Sequence, residues 1–326
     1  MAKTVLRGRS AAIATALAAL RRARASGSGS TLVFEGEPGI GKSAVLAAVV
    51  DHAVAMGFAC AVSKADQITG ISPAAPLLLA LRSGPRPIAT AEGIAALARQ
   101  ATAEPILLLE DVTALLQRRA DEGALLIAVD DVQWADPVSR LVLRSLPARL
   151  ARSPVVWMFA SRHVEHGLVE DLMRPGWPDP PVEVIELGPL DSADIVAMAQ
   201  DRLNREPSPE LVGLLERVGG NPFFATQILD GVVASPSGDD DRIDLPTGFV
   251  LGVRRRLAEL GELPTRVLRA TAVFGRPLAV EDMTALLADQ PAAAVAAALD
   301  VQQARRALTR PAEQHRARRG HPLIIA

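Results

Sequence analysis

The stretch Gly36-Glu37-Pro38-Gly39-Ile40-Gly41-Lys42-Ser43 constrains this chain more than any other. It satisfies G-x-x-x-x-G-K-[ST] at every fixed position. Its flanks are those the pattern requires, strand formers Thr31 to Phe34 before it and a helical run Ala44–Ala55 after it. Glycines let such a loop curl so that successive N–H groups point inward at phosphates. The helix that follows adds its unpaired N-terminal donors and the positive end of its dipole. Lys42 is expected to reach the β- and γ-phosphates, and the Ser43 hydroxyl to take one position on Mg²⁺. All eight residues, Gly36, Glu37, Pro38, Gly39, Ile40, Gly41, Lys42 and Ser43, are therefore assigned to a bound nucleotide, with ATP and Mg²⁺ as the expected ligands. The alternative is a glycine-rich turn with no ligand, and the strand and helix on either side argue against it.

Composition sharpens that reading. The lysines are Lys3, Lys42 and Lys64 alone, so 32 of the 35 basic residues are arginine. A net charge of −2 supplies no global attraction to nucleic acid or to an acidic membrane. The single cysteine, Cys60, excludes an internal disulfide framework and falls in an apolar run that suggests a core position. Met1–Ala25 has features of a signal peptide, but Arg21 and Arg22 directly follow a weakly hydrophobic, alanine-rich run. The expectation is an amphipathic helix, Ser10–Ala25, in a cytoplasmic protein. No segment approaches the ~18 uninterrupted apolar residues of a membrane span.

The pattern along the chain alternates strand and helix up to about residue 190. Phe58–Val62, Ala124–Val129, Val155–Ala160 and Val182–Leu187 read as further strands. Leu77–Arg82, Ile88–Gln100, Ile106–Ala120 and Val138–Leu150 read as helices. Continuous apolar runs mark strands buried on both faces of a parallel sheet. From Asp191 the pattern is all-helical: Asp191–Leu203, Pro209–Val218 and Pro222–Val233. A polar stretch, Ser235–Asp244, separates these from four short helical runs: Thr247–Leu260, Thr265–Val273, Val280–Ala288 and Ala292–Ala307. The expected organisation is an α/β P-loop NTPase core over 1–190, a helical lid over 191–234 and a winged-helix-like domain over 245–326.

Two strand ends complete the chemistry. The run Leu125–Asp131, LLIAVDD, delivers Asp130 to the C-terminal edge of the sheet, where it is expected to hold Mg²⁺ through water. Asp131 is placed to orient or deprotonate an attacking water. Arg162 ends the next strand and is expected to contact the γ-phosphate, with a surface arginine as the alternative. Asp136-Pro137 reads as a helix start, with Asp at the N-cap and Pro at N1. Trp134 reads as packing, and His163 and His166 as solvated.

The set Gly8-Arg9, the P-loop, Leu125–Asp136, Ala160-Ser161-Arg162 and Gly219-Gly220-Asn221-Pro222-Phe223-Phe224, in that order, resembles a known family. It is similar to the signal-transduction ATPases with numerous domains, and within them to the ATPase region of large LuxR-type bacterial regulators. The origin-recognition-like ATPase module is related. The resemblance implies that Gly8 and Arg9 lie by the adenine and that Pro222, in the lid, packs on the base or ribose. An acidic residue usually follows Gly-Arg in the family, whereas Ser10-Ala11-Ala12 stands here. It also implies a winged helix from Leu245 on. Full-length members continue to a DNA-binding helix-turn-helix, which this sequence, ending after His321-Pro322-Leu323-Ile324, lacks.

The expected function is a slowly hydrolysing nucleotide switch in a bacterial signalling or transcription regulator, working with other domains or subunits. A DNA-binding origin-recognition-like ATPase and a small-molecule phosphotransferase are the alternatives. Arg254-Arg255-Arg256 and the arginines between Arg305 and Arg319 suggest a DNA footprint, but Ala292–Arg306 has no base-reading side chain in its first turns. Specific DNA binding by this chain is therefore not expected.

Overall fold

The computed structural model describes residues 6–66, 68–162, 168–173, 182–234, 254, 262–274, 280–291 and 293–295. The chain divides into two compact units. The first comprises Met1–Asp201 with Glu216–Phe223, and the second Arg202–Leu215 with Phe224–Ala326.

The first unit is a five-stranded parallel sheet with helices on both faces. Its strands are β1 (Ser30–Glu35), β2 (Ala59–Lys64), β3 (Leu125–Asp130), β4 (Val155–Ser161) and β5 (Val182–Glu186), in the order β2-β3-β4-β1-β5. The P-loop strand thus lies between β4 and β5, and β4 separates it from β3. β2 runs to Lys64, two residues beyond the end that its apolar run suggests. Its register with β3 sets Lys64 opposite Asp130.

Alternation along the central strands builds two cores, because successive side chains leave opposite faces. Leu125, Ile127, Val129, Val155, Trp157 and Phe159 join one core; Leu126, Ala128, Val156, Met158 and Ala160 join the other. The first core is covered by α3 (Ala75–Arg82), α4 (Ala91–Ala103), α5 (Pro105–Glu122) and α6 (Pro137–Arg149). The second is covered by α1 (Ser10–Ser26) and α2 (Lys42–Ala55). Every residue of β3 and β4 is buried, which explains why these two read as unbroken apolar runs. Cys60 belongs to the second core; burial pushes its thiol up to about 11.

Two local differences from the sequence pattern have simple causes. The periodicity suggests a helix from Ile88, but Thr90 caps α4, accepting from the Gly93 N–H at 3.2 Å. Ile88 instead donates its N–H to Leu81 O and is buried. The helix α7 (Leu168–Met173) was not anticipated; it buries Leu168 and Leu172, too short a pair to register as a period. The start of α6 agrees with expectation. Asp136 accepts the N–H groups of Val138 and Ser139 at 2.9 and 3.0 Å, and Pro137 follows it.

Beyond β5, α8 (Ser192–Leu203), α9 (Pro209–Arg217) and α10 (Pro222–Ala234) follow the helical pattern. In the second unit the described helices Glu262–Phe274 and Val280–Leu286 close a small core of Val267, Met283, Leu287 and Val295. Of the remaining readings, 247–260 except Arg254, most of 292–307, and 308–326 lie outside the described residues, as do His163 and His166. Among the described residues no helix is long and apolar enough to cross a membrane.

Candidate nucleotide site

The loop 36–43 joins β1 to α2 at the C-terminal edge of the sheet. Gly41 is the N-cap of α2 with φ 102°, a left-handed value that only glycine adopts without strain. A Cβ there would meet nothing nearer than Arg9 Nε at 3.8 Å and Pro222 Cγ at 3.9 Å, so the concave side of the turn is open.

Lys42 opens α2 and is only 6% exposed. Its Nζ donates to the carbonyls of Gly36 at 2.8 Å and Glu37 at 3.0 Å. Burial lowers its pKa, against the opposing pull of Asp131, Asp130 and Glu37, and with Arg162 adding to the depression. A buried cation whose described hydrogen bonds go to carbonyl oxygens favours an arriving anion.

Ser43 Oγ donates to Asp130 Oδ2 at 2.6 Å, joining the start of α2 to the end of β3 across the intervening β4. Asp130 is buried, and its other oxygen accepts the Asp131 N–H at 2.9 Å. Asp131 has φ 53°, a left-handed conformation uncommon outside glycine that turns the chain sharply off the strand. Its Oδ1 accepts from Gln133 Nε2 at 3.0 Å, and its Oδ2 faces Lys64 Nζ at 3.0 Å. Burial acts to raise the Asp131 pKa. The Gln133 and Lys64 hydrogen bonds, with the charges of Lys64 and Lys42, outweigh it and hold the carboxyl below its ordinary value. Lys64 Nζ also lies 3.7 Å from Asp130 Oδ2.

Arg162 leaves the end of β4 half-buried, close enough to Lys42 to act on its charge. Its backbone N–H donates to Gln133 Oε1 at 3.3 Å. Sequence reasoning thus placed Lys42, Ser43, Asp130, Asp131 and Arg162 at one edge, and the structure brings all five together there.

The remaining predicted residues form the wall of the loop. Arg9 is buried, and its Nη2 donates to Ile40 O at 2.8 Å and Gly188 O at 2.7 Å. Its Nε is buried with no hydrogen-bond partner, and its pKa is lowered by that burial. Gly8 precedes it with Asp194 and Leu190 packed against its α-carbon, which leaves no space for a side chain. The turn before α10 grips the loop from the other side. Asn221 Nδ2 donates to Pro38 O at 3.1 Å, and the Phe223 N–H donates to Gly39 O at 3.2 Å. Gly220, at φ 73°, lets this turn come close: a Cβ would sit 2.3 Å from Leu190 O.

Three site residues escaped the sequence reading: Lys64, Gln133 and Asn221. Lys64 was one of only three lysines, and Asn221 lay inside the quoted GGNPFF stretch, so each carried a signal. Gln133 likewise lay inside the quoted Leu125–Asp136 stretch, two residues after Asp131.

The donor set fits a nucleotide with a divalent ion. Ser43 Oγ and Asp130 supply two hard oxygen ligands at one point, leaving other positions to phosphate and water. Gly41 leaves a cradle that a side chain would fill, and Lys42 supplies a buried positive charge beside it. Among the described residues there is no cluster of three His, Cys, Asp or Glu able to hold a metal without such help.

Comparison with known proteins bears on the family and the fold. Residues 5–158 match the family model of the AAA ATPase domain, a little under half of the chain. An uncharacterized protein of Rhizobium meliloti (strain 1021) is 26% identical over 318 residues, which is 84% of this chain and 30% of that protein. The chain therefore spans less than a third of the length of that relative. The Aeropyrum pernix ORC2 protein, solved in ADPNP–ADP complexes, is similar with a TM-score of 0.54 at 18% identity, covering 85% of this chain and 78% of that one. This likeness shows a shared fold. A STAND protein with a tetratricopeptide repeat sensor from Pyrococcus horikoshii is similar at 17% identity and a TM-score of 0.42, over 86% of this chain and 37% of that one.

Proposed function

We propose, from the premise that residues 5–158 are an AAA ATPase domain, that this chain binds ATP with Mg²⁺, hydrolyses it slowly and serves as the nucleotide switch of a larger bacterial regulator. The observation that carries the reading is the pairing of a buried, anion-seeking Lys42 with the Ser43–Asp130 contact.

In this reading the loop N–H groups and Lys42 bind the β- and γ-phosphates, and Arg9 and Pro222 line the side towards the base. Ser43 and Asp130 would hold Mg²⁺, which would supply neutralisation of the phosphate charge. Asp131 orients the attacking water and accepts its proton as the water oxygen bonds to the γ-phosphorus. The bond from that phosphorus to the β–γ bridging oxygen breaks, and ADP leaves. Arg162 meets the negative charge on the γ-phosphoryl group. A carboxyl held below its ordinary pKa is a weak base, and a lysine already faces it. Slow turnover follows.

Residues 1–190 are the core in this proposal, 191–234 a helical lid and 245–326 a winged-helix-like element. The regulator is of the LuxR-linked signal-transduction class, cytoplasmic, with other domains or subunits as partners. DNA binding by this chain is weak, sequence-independent and lost at moderate salt, as phosphate-only contacts require. Lys42→Ala tests the central assignment. It is expected to lower affinity for ATP–Mg²⁺ by ~100-fold or more, as loss of a charge-assisted contact to phosphate implies. Unchanged affinity in folded Lys42→Ala would overturn the reading.

A further inference from the structure

Gln133 makes contacts in opposite directions through the two ends of its amide, and its Oε1 also accepts from Ser161 Oγ at 3.5 Å. Its Nε2 donates to Asp131 Oδ1 at 3.0 Å, and its Oε1 accepts the Arg162 N–H at 3.3 Å. We propose that Gln133 is a positioning residue that fixes the Asp131 carboxylate relative to the end of β4 and couples it to Arg162. The inference rests on the reading of Asp131 and Arg162 as hydrolytic groups.

Three features separate this from an ordinary turn contact. First, the turn does not need the side chain. Residues 132–134 form a 3₁₀ turn closed by backbone bonds, Trp134 N–H to Asp131 O and Ala135 N–H to Val132 O, both at 3.0 Å. Second, the β3–β4 pairing ends at Val129 opposite Phe159. Past that point the Gln133 amide takes over, with its oxygen on the Arg162 N–H, so a side chain joins two strand ends that have no further ladder bond. Third, the amide has one workable orientation. Flipped, its NH₂ would face the Arg162 N–H and its oxygen would face a carboxylate, both repulsive.

Asp131 needs such a tether. Its left-handed backbone sends the side chain away from the line of β3, and its other oxygen is drawn by Lys64, whose side chain is 61% exposed and long. Gln133 is the shorter, more rigid of the two partners and the one linked to the backbone of β4. A shift of the Arg162 backbone would therefore carry Gln133, and with it the Asp131 carboxylate. Gln133 touches neither the P-loop nor Ser43 in any described hydrogen bond, so its loss is expected to spare nucleotide binding.

The test compares the full chain with Gln133→Glu and Gln133→Met, using ATP with Mg²⁺ as the probe. Glutamate keeps the length and the acceptor but sets a second carboxylate against Asp131; methionine keeps the volume and removes both polar ends. Both variants are expected to bind ATP within ~2-fold of the parent while kcat falls ~10-fold or more, the pattern of an interaction used in the transition state and not in binding. Thermal midpoints are expected to stay near the parent, since both variants keep the backbone bonds that close the turn. Parental kcat in Gln133→Glu would overturn the inference, and so would a drop in kcat matched by an equal drop in affinity. A parent chain that binds ATP without turnover would instead remove the hydrolytic reading of Asp131, and this inference with it.

Discussion

The two ends of the parallel sheet share backbone bonds but differ in what side chains add to them. At the N-terminal end, backbone bonds join successive elements: Gly29 N–H to Ala151 O at 2.9 Å, Ala59 N–H to Ala124 O at 3.0 Å, and Leu125 N–H to Pro154 O at 2.9 Å. At the C-terminal end backbone bonds continue, Ala65 N–H to Asp130 O at 2.9 Å and Leu187 N–H to Glu35 O at 2.7 Å, and side chains add to them, Ser43 to Asp130, Lys64 to Asp131 and Gln133 to the Arg162 backbone. That end also holds a left-handed Asp131 and a buried Lys42 whose Nζ, among the described residues, bonds to the carbonyls of Gly36 and Glu37. One end is built to be kept, and the other carries strain and desolvated charge that a ligand can relieve. Stability and function should accordingly separate along the strands, and substitutions can test that separation.

The largest effect is expected in the body of the sheet. Trp157, fully buried on β4, should cost about 3–5 kcal/mol on truncation to alanine, read by urea unfolding. Its indole N–H has no hydrogen-bond partner, so Trp157→Phe should cost well under half as much. Equal losses in the two variants would mean that the indole N–H, and not the buried volume, carries the stability. Next comes Asp131→Asn, expected to retain ATP while losing hydrolysis by ~100-fold, since an amide still hydrogen-bonds water but is a poor base. Parental turnover would move water activation to another group.

Lys42 gives the sharpest contrast between the two ends. Lys42→Met should abolish ATP binding yet leave the protein at least as stable, by up to ~1 kcal/mol, because a desolvated charge is replaced by a similar apolar volume. A destabilised Lys42→Met would show that the two ends do not divide the work as described. The smallest effect lies in the second unit. Arg266 binds Asp289 through both nitrogens at 2.7 and 2.9 Å and holds its carboxyl down to about 2. A depressed carboxyl stabilises above its unfolded pKa and loses that contribution as pH falls. The small gap between the parent and Asp289→Asn should therefore close between about pH 4 and about pH 2. A gap that does not change over that range would assign it to packing.

Much of this was legible in the sequence, for identifiable reasons. The loop 36–43 announces itself because phosphate geometry fixes glycine, lysine and hydroxyl positions together. Asp130 and Arg162 were found because apolar runs buried on both faces end where charge begins. Lys64 was missed because β2 continues two residues past its apolar run, where register with β3 and not hydrophobicity decides the pairing. Gln133 was missed because its importance depends on the left-handed turn at Asp131, which no period or composition encodes. The strand order was likewise hidden: adjacency of β1 to β4 and β5 follows from how the crossovers pack, and the sequence shows only that strands and helices alternate.

The most direct measurement is a calorimetric titration of the purified chain with ATP, with and without Mg²⁺. The account predicts one saturable site per chain, tightened by Mg²⁺ through Ser43 and Asp130. A chain that releases no saturable heat, or binds ATP equally well with Mg²⁺ withheld, would contradict it.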